Sequence, residues 1–209
     1  MPKTKFLRTL LCSVACLSAT LLCQAGVSAL DDLHAKLSRL ITTQFEEPLI
    51  ATSITSSEDD AALLAAVEQY QTRTSDDDYH ALNDFLSAHP KSGWNVALRT
   101  NLGRSYYRDG RFNQAMKAWE TAWQAGKAIT EPRAKALVDR AFGELMRMHA
   151  RVGHVDRLAA LFKELGDRPV SGPATELVQG AREGLWVMRN EPGIAFLCGP
   201  MALKNLLLS

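Results

Sequence analysis

Cysteine is scarce in this chain: four residues in 209, and three of them (Cys12, Cys16, Cys23) sit close to the amino terminus. A disulfide framework or a cysteine-rich zinc site has little to build on. An excess of either charge is also missing, with 24 Lys+Arg against 23 Asp+Glu; such balance argues against a strongly basic nucleic-acid binder. No apolar run reaches the ~20 residues a membrane-spanning helix needs. Two-residue alternation is never sustained and no Asn-Gly hairpin signal occurs, which excludes a sheet protein. His-Glu-x-x-His, a phosphate-binding Gly-Lys-Ser/Thr loop and Gly-x-Ser-x-Gly are absent too. His149 and His154 are five apart, a spacing that does not align them on a helix for metal. No metal or cofactor is therefore expected.

What is present suits a globular protein, 46% hydrophobic and 22% charged. Lys3, Lys5 and Arg8 precede the uncharged, mostly apolar stretch from Thr9 to Leu22, and Val27-Ser28-Ala29 has the small-residue spacing a signal peptidase reads. Residues 1–29 thus predict a cleaved secretory signal, and export to a bacterial periplasm or beyond. Lipid attachment at Cys16, which follows Ser13-Val14-Ala15, is the alternative, but the apolar stretch before it is short; Cys23 follows bulky Leu22. Cleavage takes the net charge from +1 to −2 and leaves Cys198 as the only thiol.

The mature chain reads as all-α. Leu30, Leu33, Leu37, Leu40 and Ile41 recur at helical steps, and residues 51–57 form a polar linker. Ser57 with Asp60 three residues on predicts a capped helix to about Gln71. A second helix is expected from Asp76, capped by Thr74 or Ser75, to Ala88, stopped by His89-Pro90. Asp167 to Pro173 is a breaker cluster, a helix from Ala174 to about Arg189 follows, and 190–193 is a second break. The expected organisation is a signal (1–29), an amphipathic helix with linker (30–57), a repeat region (58–166) and a helical extension (167–209).

Within 96–129, Leu102-Gly103, Tyr106, Gly110, Phe112, Ala115, Trp119 and Ala122 occupy the seventh, eighth, eleventh, fifteenth, seventeenth, twentieth, twenty-fourth and twenty-seventh places of a 34-residue unit. This resembles the tetratricopeptide repeat. Small Gly103 and Ala115 would let two helices cross, Tyr106, Phe112 and Trp119 would fill the space between them, and Gly110 would make the turn. Arg99 and Lys127 depart from the pattern. Tyr79, Leu82 and Leu86 echo it upstream, with Phe85 one place out of register. Phe142, Leu145, His149, Gly153, Val155, Leu158 and Phe162 echo it downstream, after an interval of 43 residues from Trp119 to Phe162, so a loop or first helix must be longer there. The resemblance implies a solenoid of helical hairpins; an irregular bundle around one true repeat is the alternative.

In such repeats the first helix lines a concave groove. The corresponding positions here are Ala97, Thr100, Arg104, Tyr107 and Arg108, then Arg140, Gly143, Arg147, Ala150 and Arg151. Arg104/Arg108 and Arg147/Arg151 are four apart, so each pair shares a helix face. The pattern is similar to the family's carboxylate clamp and implies a protein or acidic peptide partner, because guanidinium binds carboxylates bidentately. A solvated face paired with the chain's own Asp and Glu is the plainer reading.

Cys198-Gly199-Pro200 opens an apolar run through Leu208, which would put Cys198 at a helix amino terminus that favours thiolate. Cys-Gly-Pro-x-Ala-Leu resembles the nucleophile motif of papain-like peptidases that process double-glycine leader peptides. Pro192 stands where that family has its oxyanion-hole Gln, and no His or acid follows Cys198. The resemblance implies an inactive front portion of a longer peptidase; a small buried apolar residue is the alternative for Cys198.

Overall fold

The computed structural model of the chain describes residues 45–195 and Leu207. The expected signal segment, the seam from Leu30 to Ile41 and Cys198 lie outside the described residues. Among those described there are eight helices and no strand, in agreement with the missing two-residue alternation. None of these helices is long and apolar enough to cross a membrane. They belong to two compact units, 56–89 and 45–55 with 90–195.

The smaller unit pairs α1 (Ser57–Gln71) with α2 (His80–Ala88). Leu63, Val67 and Tyr70 fall at three- and four-residue steps on α1 and are buried, as are Tyr79, Leu82, Phe85 and Leu86. The α1 cap is Ser56, one residue before the expected Ser57; its Oγ accepts from the Asp59 amide at 3.0 Å. α2 starts later than the expected Asp76. Asp78 Oδ1 accepts from the His80 amide at 2.9 Å, and the helix starts there. Phe85 is buried despite its register and stacks on His89 at 5.0 Å.

The larger unit contains α3 (Asn95–Arg108), α4 (Phe112–Gly126), α5 (Pro132–Arg151), α6 (Val155–Leu165), α7 (Ala174–Asn190) and the short α8 (Pro192–Ala195). α3 packs on α4 and α5 on α6, each pair joined by a tight turn. Gly110 and Gly153 hold those turns at φ 74° and 72°, where a side chain would cost about 1–2 kcal/mol. The longer downstream interval is taken up within a helix: α5 has 20 residues and α3 has 14. α5 also packs against α3, α4 and α7, and so is central to the unit.

The core follows the apolar spacing. Leu98, Leu102 and Tyr106 of α3 meet Ala115, Trp119 and Ala122 of α4, all buried. Trp119 is fully buried, donates from Nε1 to the Thr100 carbonyl at 3.2 Å, and lies where a side chain on Gly103 would be. Trp123 packs on Phe142 with centroids 4.1 Å apart. Phe112 is the exception among the expected core rings: it is 47% exposed and only leans on Tyr107, because it opens α4 at the rim of the hairpin. The 166–173 connection is tied down by fully buried Asp139, which accepts from Lys135 Nζ at 2.6 Å, Ser171 N at 3.0 Å, Ser171 Oγ at 2.8 Å, and Arg168.

Candidate functional site: an arginine-lined groove

On α3, Ala97, Asn101, Arg104 and Arg108 recur at three- and four-residue steps, so they share one face. On α5, Arg140, Glu144, Arg147 and Arg151 do the same. Because α3 and α5 pack side by side, the two stripes face a common groove of about 260 Å³, lined by Arg104, Tyr107, Arg108, Arg140 and Arg147 with Trp119 at its floor.

Glu144 organises this groove. Its side chain is only 3% exposed and is shared by three guanidinium groups: Arg104 Nη1 at 2.8 Å, Arg140 Nη2 at 2.8 Å and Arg147 Nη2 at 2.6 Å. A carboxylate this buried is tolerable only with such partners; stripping the partner from a buried pair typically costs about 3–5 kcal/mol. Tyr107 spans the two helices. Arg147 lies over its ring, 4.8 Å from the centroid, and Arg151 donates to its hydroxyl.

A third element completes the site. Residues 45–55 are non-helical and run along α3 in the opposite direction. Asn101 grips the backbone of Glu47 from both sides: its Oδ1 accepts from the Glu47 amide at 2.9 Å, and its Nδ2 donates to the Glu47 carbonyl at 3.0 Å. Further along, the Thr52 amide donates to the Gly93 carbonyl at 2.8 Å. Five residues of the segment thus keep pace with eight of the opposing chain, so it is drawn out beyond the ~1.5 Å rise per residue of a helix. Leu49 is buried beneath it. Both carboxylates go to arginines: Glu46 accepts from Arg104 Nε at 2.6 Å and pairs with Arg108 Nη1 at 3.0 Å, while Glu47 pairs with Arg140 Nε at 3.2 Å.

Of the residues expected from the sequence, Arg104, Tyr107, Arg108, Arg140 and Arg147 therefore meet in one place. Arg151 lies at the end of the groove, in the adjoining hollow between α5 and α7 that includes Leu177 and Ala181. Thr100 is fully buried, its hydroxyl donating to the Val96 carbonyl at 2.8 Å, and it offers the groove no surface. Cys198 lies outside the described residues. Asn101, Glu144, Glu46 and Glu47 were not anticipated. Glu144 is four residues from Arg140 and three from Arg147, and Asn101 is three from Arg104, so both could have been found from the arginine stripes. Glu46 carries no local signal, standing 58 residues from Arg104.

Among the described residues no cluster of three or more His, Cys, Asp and Glu is arranged for a metal ion. His149 and His154 do approach, Nδ1 to Nδ1 at 3.0 Å, across the turn between α5 and α6. Burial, then the neighbouring His154, hold the His149 base below its ordinary value. In comparisons with protein-family models, curated proteins and solved structures, nothing matches this chain.

Proposed function

We propose that this chain is an exported tetratricopeptide-type binding protein that takes an acidic peptide, or an acidic stretch of a partner protein, in the groove between α3 and α5. What carries the proposal is the convergence of Arg104, Arg108, Arg140 and Arg147 from two helices, with one carboxylate of the helices' own, Glu144, among them. Pairing within the chain also occurs here, to Glu144 and to the non-helical Glu46 and Glu47, but the Arg108 side chain keeps 60% of its surface exposed and so has donors left for a partner. Planar guanidinium groups on fixed helices suit carboxylate recognition, and little side-chain entropy is lost where they are already held. The solenoid part of the proposal draws on the two hairpins with matching glycine turns at Gly110 and Gly153.

Arg108 and Arg151 are the residues to test, because Arg104, Arg140 and Arg147 also neutralise buried Glu144 and their loss would disturb folding. The full chain should be retained on immobilised oligo-glutamate at low salt. The double variant Arg108→Glu, Arg151→Glu should lose at least about tenfold in affinity. Equal retention of the wild type and a variant with unchanged helical circular dichroism would reject the groove.

A further inference from the structure

The groove already contains a peptide, and that peptide belongs to the chain itself. We infer that residues 45–49, Phe-Glu-Glu-Pro-Leu, occupy the site in cis as the chain's own ligand, and that the partner is an extended segment of the same chemistry which displaces them. This rests on the binding function proposed above and specifies its ligand: two adjacent carboxylates in a drawn-out backbone, with an apolar residue two places further on.

Each feature of that ligand has its own receptor group. The first carboxylate takes Arg104 and Arg108, and the second takes Arg140. Between them, the Glu47 peptide group is held through both its amide and its carbonyl by one side chain, Asn101, which is itself 3% exposed and steadied by its Nδ2 bond to the Ala97 carbonyl at 3.0 Å. Pro48 is exposed and makes no polar contact of its own with the site, and Leu49 supplies the buried apolar anchor. A recognition of the backbone plus the side chains of Glu46, Glu47 and Leu49 does not depend on the peptide being covalently attached. Any chain presenting Glu-Glu-x-Leu can make the same bonds.

Covalent attachment sets the strength of the competition. A tethered ligand acts at an effective concentration on the order of mM when its linker spans the distance comfortably. An external peptide must then overcome that local concentration, and its apparent affinity falls by the fraction of time the groove is open. The cis segment is held at its middle by Asn101 and at its far end by the Thr52–Gly93 bonds, the second from Thr52 Oγ1 at 3.0 Å. Displacement of 45–49 therefore frees Arg104, Arg108 and Arg140 and leaves Glu144 as the one carboxylate among them and Arg147, a strongly cationic site that an incoming acidic segment would neutralise.

The experiment uses the full chain and a fluorescein-labelled peptide with the sequence of residues 44–51, Gln-Phe-Glu-Glu-Pro-Leu-Ile-Ala, read by anisotropy. The wild type should bind weakly. Glu46→Gln with Glu47→Gln, which keeps side-chain size and removes the cis carboxylates, should bind at least about tenfold more tightly, and a peptide with Gln at both positions should not bind either chain. Wild type and variant binding with equal affinity would overturn occupancy in cis while leaving the groove as a peptide site. Failure of both to bind, with helical circular dichroism intact, would overturn the binding function itself. Hydrogen exchange on the unmutated chain gives a check that does not depend on how the variant folds. Saturating peptide should accelerate exchange at the Glu47 and Thr52 amides, which donate to Asn101 and Gly93 in the resting chain. Unchanged protection at both amides with peptide bound would place the peptide elsewhere and reject displacement.

Discussion

Gly103 and Gly110 are seven residues apart and do different work. At Gly103 a Cβ would come within 2.3 Å of Trp119 Nε1, and the indole is held in place by its bond to the Thr100 carbonyl. Gly103→Ala should therefore cost about 1–3 kcal/mol by overpacking and should change the near-ultraviolet dichroism of the tryptophans. At Gly110 nothing lies within 4 Å of the would-be Cβ, and only the φ of +74° opposes a side chain. Gly110→Ala should cost about 1–2 kcal/mol in urea melts and leave the tryptophan spectrum as it is. Both glycines were readable from their places in the 34-residue unit, because a close helix crossing and a left-handed turn each exclude most other residues. Phe112 was misread since an aromatic at the first turn of a helix can face either the crossing or the solvent, and its spacing is the same in both cases.

The start of α1 shows how an element's boundary escapes local rules. Ser56 and Ser57 each have an aspartate three residues on, so either could head a capping box. The choice is made by where those carboxylates go. Asp59 is drawn to His89 at 2.7 Å, a partner 30 residues away, and Asp60 is 3% exposed. Ser56→Ala should thus destabilise the chain by about 1 kcal/mol, whereas Ser57→Ala should change its melting temperature little. If the Ser57 variant proves the weaker of the two, the cap has been placed one residue too early. The groove was legible to the same degree. Four-residue spacing put each arginine pair on a face, but spacing alone does not say that a glutamate on α5 would draw both helices' arginines onto one carboxylate.

For the whole molecule, the groups held away from their ordinary pKa values predict how stability changes with pH. His149 is 8% exposed and faces His154, Glu120 and Arg157. Because its base is lowered, the unfolded chain takes up a proton that the folded chain resists. That contribution to stability is complete above the unfolded value of 6.5 and is lost as pH falls through it. Three carboxyls are lowered in the folded chain and act further down. The Asp78 carboxyl accepts from the His80 amide; Glu131 accepts from the Ala134 and Arg133 amides. For Glu164, burial pushes upward but hydrogen bonds from Gln124, Trp123 and Arg157 outweigh it. Their contributions are present above their unfolded values, 3.8 for Asp and 4.5 for Glu, and disappear below them. Thermal melts should decline in two stages on acidification, and His149→Gln should remove the first. A variant that keeps the full loss between about pH 7 and about pH 5 would show that another group titrates there.

Helical class, the two glycine turns, the breaker at 167–173 and the arginine stripes were all settled by the order of residues, because each depends on groups within a few positions of one another. Occupancy of the groove was not. Glu46 reaches Arg104 and Arg108, and Glu47 reaches Asn101 and Arg140, across more than fifty residues of intervening chain. No periodicity links such partners. Only the folded arrangement of α3 and α5, with a drawn-out segment beside them, supplies enough guanidinium groups to hold three carboxylates at once.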